Sequence, residues 1–188
     1  MAKLYVIRHA AVTVDFRIPA AEWRISDEGR QGIRALVLNN SWNEIAVIYH
    51  SPEPKAIATA GMISQMIGCP AMMSANLREL SMPVIPLAEE FVRRVGAYLE
   101  GFKDPEFELW DQAQERIVNC IRGIMESEHG KSVAIVSHGR ILSVFFSHVL
   151  RRRITVEEWQ SIKFPDLSVV DWEQGLIERG FFSSACEP

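Results

Sequence analysis

Hydrophobic positions in this chain fall into short continuous runs separated by longer segments with a helical repeat. Leu4–Ile7, Ile45–Tyr49, Ala71–Ala75 and Val133–Val136 are runs of strand length. Because they are continuous rather than alternating, they predict strands covered on both faces, with Ala71–Ala75 the least regular. Between them Ser26 reads as an N-cap, with Asp27 and Glu28 in the first turn and Ile33, Leu36 and Val37 on one face, closed by Asn39-Asn40. Ala56–Ile67 follows Pro52 and Pro54 and stops at Gly68, a C-cap signal. Trp110–Glu128 repeats apolar residues at three- and four-residue spacing (Ala113, Ile117, Cys120, Ile121, Ile124), which predicts a long amphipathic helix. Gly139–Leu150 reads as a buried helix, and Arg151-Arg152-Arg153 at its end as a solvated terminus complementing the dipole. Val169–Trp172 and Leu176–Glu178, joined across Glu173-Gln174-Gly175, predict a hairpin.

Strands alternating with helices predict an α/β fold, a three-layer sandwich with a mostly parallel central sheet flanked by helices. Residues 1–188 read as a single domain. Residues 80–108, rich in Pro and Glu, are expected to form a modest insertion over one edge of the sheet. In such folds ligands bind beyond the carboxyl ends of the strands.

Composition narrows the function. Apolar residues are 48% of the chain and charged ones 23%, an ordinary globular profile. With 20 Lys and Arg against 24 Asp and Glu, the net charge of -4 gives no global attraction to nucleic acid or an anionic membrane. Cys69, Cys120 and Cys186 form no CxxC pair, which argues against a disulfide framework or structural zinc and for a reducing cytoplasm. Leu4–Ile7 is too short for a signal-peptide core, and no apolar stretch reaches the ~20 residues a spanning helix needs. No G-x-G-x-x-G follows the first strand, so dinucleotide binding is not expected.

The histidines carry the sharper signal. His9, His50 and His138 all fall at the carboxyl ends of predicted strands. His9 follows Arg8, and His138 precedes Gly139 and a helix start, where free backbone N–H groups suit an oxyanion. One strand-end histidine is more often a hydrogen-bonded structural residue. Cationic and donor groups converging on one sheet edge describe a phosphate pocket better. His50 reads as structural, and His129 and His148 as helix residues without a site signal.

These residues resemble the histidine phosphatase superfamily, whose fold is that of the cofactor-dependent phosphoglycerate mutases. Arg8-His9-Ala10 resembles its Arg-His-Gly hallmark, and Trp23–Gln31 its Leu-Ser/Thr-x-x-Gly-x-x-Gln segment. Ser51–Ala60 is similar to its Ser-Pro-x-x-Arg-Ala-x-x-Thr-Ala, Leu77–Leu80 to its Leu-x-Glu motif, and Val136–Gly139 to its second histidine motif. The resemblance implies a metal-independent, cofactor-free phosphomonoester hydrolase acting on a small phosphorylated metabolite. It implies His9 as nucleophile, Glu79 as the acid that protonates the leaving group, and His138 as the third catalytic group. Arg8, Lys55 and Gly139 are then the phosphate ligands, and Asp15, Arg17, Trp23 and Arg24 the candidates for contacting the rest of the substrate, with Arg140 beside them. Taken alone, Lys55 would be a solvated helix charge and Glu79 a surface partner of Arg78.

Where the family carries Arg, Gly and Asn, this chain has Lys55, Ala10 and Asp15. Lys is a point charge without the planar fork that grips two phosphate oxygens. Ala10 adds a methyl where the backbone could approach the ligand, and Asp15 would repel phosphate unless paired, Arg17 being the nearest partner. A phosphate dianion beside Glu79 is expected to raise that carboxyl's pKa and keep it protonated. A mutase is the alternative, set against by the modest insertion and the short tail from Phe181 to Pro188. A catalytically weak phosphate-binding or interaction module is a third reading, and a protein-phosphohistidine phosphatase a narrower variant of the first. The sequence leaves the substrate and the oligomeric state open.

Overall fold

The computed structural model describes residues 2–15 and 17–181. Cys186 and most of the expected short tail lie outside the described residues. Strands β1 (Lys3–Arg8), β2 (Ile45–His50), β3 (Ala71–Met73), β4 (Ser132–Ser137), β5 (Asp166–Asp171) and β6 (Leu176–Arg179) form one sheet in the order β3-β2-β4-β1-β5-β6. The β3, β2, β4 and β1 neighbours pair in parallel, while β5 and β6 add an antiparallel hairpin beyond β1. The sheet is therefore mostly parallel and flanked by helices, as the alternation predicts.

Both faces are covered, which is why the strand sequences run apolar without alternation. On β1, Leu4 and Val6 enter the core shared with helices α4 (Trp110–Ser127) and α5 (Gly139–Leu150). Tyr5 and Ile7 point to the other side, into the core shared with α1 (Asp27–Leu38) and α2 (Pro54–Ile67). Ser26 caps α1, its Oγ accepting from Gly29 N–H at 3.0 Å, and Gly68 closes α2 in the left-handed conformation with φ 69°. No helix among the described residues is long and apolar enough to cross a membrane.

One expectation is corrected, and two helices appear that the sequence reading did not name. β3 has three residues, all exposed, so Ala71–Met73 is an edge strand and not a buried one. Residues 80–108 contain a full helix, α3 (Ala88–Glu100), which packs on α5 and on α6 (Val156–Ser161). Its buried side, Phe91, Val95, Tyr98 and Leu99, has a helical i, i+4, i+7, i+8 spacing that was legible in the sequence. The short α6 announces itself only through its capping box, Thr155 with Glu158.

Register places the strand ends. Leu4 pairs with Val133 and Arg8 with Ser137, so β1 and β4 finish level, and His50 of β2 pairs with Val136. The first helix is then locked against the loop after β1: Ser26 N–H donates to Ala11 O at 2.9 Å, and a Cβ on Gly29 would lie 2.2 Å from that same oxygen. Gly29→Ala is expected to lower stability by about 2 kcal/mol through overpacking, despite its higher helix propensity. Gly61→Ala, in α2 with open space around its Cα, should instead stabilise by about 0.5–1 kcal/mol; urea melts of the two variants give the comparison.

Candidate active site

His9 leaves β1 with its backbone N–H donating to Ser137 O at 3.0 Å, which ties it to the neighbouring strand end. Its Nδ1 lies 2.8 Å from Ala10 O. A carbonyl only accepts, so Nδ1 carries the proton and Nε2 keeps its lone pair. Burial is the main force on its pKa, and Lys55 and Arg8 act in the same direction against the Ala10 bond, pushing it down to about 3. His9 is thus a neutral imidazole at physiological pH. His138 is completely buried, with its ring centroid 5.1 Å from that of His9. Burial also drives its pKa well below the ordinary value, with Glu79 opposing and His9, Lys55 and Arg140 adding to the shift. Its Nε2 is 2.7 Å from Ser51 Oγ, while Nδ1 has no partner among the described residues.

Arg8 is held on both sides. Its guanidinium carbon stacks 3.4 Å from the Phe164 ring centroid, and Nη1 donates to Ile162 O. On the other side a Cβ at Gly139 would come within 2.9 Å of the guanidinium, so glycine is what lets Arg8 pass the start of α5. Burial lowers the Arg8 pKa to about 10, partly offset by Glu79, which leaves it a cation at neutral pH. Its Nε is buried without a partner among the described residues.

Glu79 is an anion in the free site. Burial alone would raise its pKa, but Arg140, His138 and the amides of Leu80 and Ile141 outweigh that and hold it below the usual carboxylate range. Oε1 accepts from those two amides at 2.8 and 2.9 Å, and Oε2 is 3.0 Å from Arg140 Nε. The expected rise in its pKa is tied to a bound phosphate, and without one the local cations prevail. The donor of Ile141 at the α5 N-terminus, expected to be free for an oxyanion, serves Glu79 instead. Arg78 is paired with Glu108 at 3.1 Å, not with Glu79.

Lys55 is buried at the start of α2, donating to Ala20 O at 2.7 Å and pairing with Glu53 Oε2 at 2.8 Å. Sequence reasoning missed Glu53, which stands at a variable position of the Ser51–Ala60 motif and carried no signal of its own. Its Oε1 accepts from the Glu79 amide at 2.9 Å and lies 3.4 Å from His138 Nε2. Phe164 was missed as well, because an isolated aromatic in irregular chain gives no periodicity to read.

Arg8, His9, Lys55, Glu79, Gly139 and Trp23 line one cleft of about 520 Å³, together with Glu53 and Arg140. Asp15, Arg17, Arg24 and the fully buried His138 are not among the residues that line it. Asp15 and Arg17 form the expected ion pair, at 2.7 Å, and Asp15 O accepts from Trp23 Nε1 at 2.9 Å. Ala10 is corrected: it is fully buried in the core on the α1 and α2 side, so its methyl does not face the cleft.

This arrangement has known relatives. A family model described as Histidine phosphatase superfamily (branch 1) matches residues 4–177. An Escherichia fergusonii protein named a probable phosphoglycerate mutase, GpmB, is 25% identical over 186 residues, covering 93% of this chain and 86% of the relative. Among solved structures, Bacillus stearothermophilus YhfR superposes with a TM-score of 0.76 at 19% identity over 94% of both chains. A mutant phosphoserine phosphatase from Entamoeba histolytica, in complex with phosphoserine, gives a TM-score of 0.74 at 15% identity over 98% of both chains. These likenesses show the same fold, and the match across nearly the whole chain means that the protein belongs to the histidine phosphatase superfamily, branch 1.

Proposed function

We propose that the protein is a metal-independent phosphomonoester hydrolase that works through a phosphohistidine at His9 Nε2, on a small phosphate ester in the cytoplasm. The observation that carries this reading is the fixed neutral imidazole of His9, its Nδ1 committed to Ala10 O, in the same cleft as a buried Arg8 whose Nε lacks a partner. A phosphate oxygen would satisfy Arg8 Nε, and others would take the third proton of Lys55 and His138 Nδ1. Free Cys69 and Cys120 suit a reducing compartment.

In the first step His9 Nε2 attacks phosphorus, the P–O ester bond breaks, and the alcohol leaves with a proton from Glu79. That proton arrives with the substrate, because the dianion's like charge raises the Glu79 pKa on binding. In the second step Glu79, now a carboxylate, takes a proton from water as the water oxygen attacks phosphorus and the P–N bond breaks. Inorganic phosphate leaves and His9 is neutral again. Mutase-type transfer is the second reading, favoured by the name of the Escherichia fergusonii relative. It requires the phosphohistidine to outlast water until an acceptor alcohol arrives.

Turnover of p-nitrophenyl phosphate in EDTA should fall at least ~10³-fold in His9→Ala. Equal rates in both proteins, or loss in EDTA restored by zinc, would defeat the proposal. A phosphohistidine that persists for minutes in water would favour the mutase. Glu53→Gln releases Lys55 from its carboxylate, so inhibition by inorganic phosphate should tighten about tenfold, and an unchanged constant would remove Lys55 from the phosphate ligands. Because burial depresses the His9 pKa to about 3, the ring stays neutral as the pH drops through the ordinary histidine range. Nitrogen-15 NMR of the free protein should show no His9 protonation between about pH 8 and pH 5.

A further inference from the structure

The lining of the cleft divides sharply by chemistry. Beside the charged groups already described, it is built from large apolar side chains, among them Trp23, Met82, Val84, Ile85, Phe91 and Trp159. Val84 is 66% exposed in the ligand-free protein, so apolar surface is left open to water next to the phosphate site. The α3 segment supplies Phe91, whose ring is tilted against Trp159 at 5.9 Å between centroids and lies under the Arg140 guanidinium at 5.3 Å.

Most of the cations in the cleft have a carboxylate at ion-pair distance. Lys55 is paired with Glu53 and Arg140 with Glu79, while Arg78 shares Glu108 with Arg116. Among the described residues Arg8 alone lines the cleft as a cation without a carboxylate at ion-pair distance, and the phosphoryl group claims it. A second anionic group on the substrate, such as the carboxylate of a phosphoglycerate or phosphoserine, would have to compete with Glu53, Glu79 or Glu108 for its counterion. The long-range cations that sequence reasoning offered for that task, Arg17 and Arg24, stand outside the cleft.

We infer that the substrate is the monophosphate ester of a bulky apolar alcohol, aromatic or prenyl, with no second anionic group. This names the substrate class of the hydrolase proposed above and rests on that reading. The apolar moiety would bury itself against Val84, Ile85, Phe91 and Trp159, and the cleft of about 520 Å³ is large enough for a ligand well beyond a phosphate.

The test separates binding from turnover. Calorimetry on His9→Ala should give 1-naphthyl phosphate a Kd at least about tenfold lower than 3-phosphoglycerate or phosphoserine, and the wild type should show the same preference in kcat/KM. Val84→Asp, at an exposed position where folding is not at stake, should narrow the binding gap at least about threefold. Equal or tighter binding of either carboxylate ester overturns the inference, even with full His9-dependent turnover. An unchanged gap in Val84→Asp overturns the assignment to this wall. Preferred binding of the naphthyl ester without any turnover in the wild type overturns the hydrolase reading and leaves the ligand class standing.

Discussion

The parallel register of β1 on β4 is the constraint on which the site depends. Pairing Arg8 with Ser137 ends both strands at one level, so the residues that follow, His9 and His138, must emerge side by side. The His9 amide then bonds to Ser137 O, and the backbone of one histidine is fixed by the strand that carries the other. A slip of one residue would exchange the two faces of β1, sending Leu4 and Val6 into the α1 and α2 core and Tyr5 and Ile7 into the other. Hydrophobic burial on both faces therefore specifies the catalytic geometry. The strand order finishes the job, because β4 between β2 and β1 brings Ser51 within 2.7 Å of His138.

Burial at that convergence sets the protonation states. Desolvation favours neutral imidazoles, and the cations Arg8 and Lys55 push His9 further the same way. The cations proposed to bind phosphate are thus among the groups that keep His9 unprotonated, so on that proposal one arrangement of charge would serve binding and nucleophilicity together. Glu79 experiences the opposite balance, since two amides and Arg140 reward its ionised form. Fixed partners of this kind need no reorganisation when charge develops on a transferring phosphoryl group.

Much of this was legible in the chain. Buried parallel strands write themselves as continuous apolar runs, and β1, β2 and β4 could be read that way with their terminal histidines. β3 is found by its run too, but its length and exposure are not, because an exposed edge strand of three residues has little burial to shape a pattern. α3 had a readable period that Pro83, Pro86 and a string of acidic residues obscured. At the site, residues fixed by backbone position, such as His9, His138 and Gly139, came out of the motifs at the strand ends. The meeting of Glu53 with His138, the stacking of Phe164 on Arg8 and the pairing of Arg140 with Glu79 all join side chains 60 residues or more apart in sequence, and no local spacing encodes that. Asp15, Arg17 and Arg24 show the converse: closeness in sequence to His9 does not put them in the lining of the cleft.

The charge balance of the site links the unexpected Glu53 to the chemistry. Arg8, Lys55 and Arg140 face Glu53 and Glu79, so, the histidines being neutral, these five groups hold one surplus positive charge, beside an Arg78 whose carboxylate partner, Glu108, is shared with Arg116. A phosphate dianion overcompensates it. In a site this dry the excess is costly, and the least costly remedy is to take up one proton with the substrate. On the proposed mechanism Glu79, the acid of the first step, would be the group that receives it. With a planar Arg fork in place of Lys55 and no Glu53 beside it, the free site would carry more positive charge and bind the dianion with less need of a proton. On the proposed mechanism the Glu53–Lys55 pair would therefore trade strength of phosphate binding for a carboxyl that is protonated when the alcohol departs.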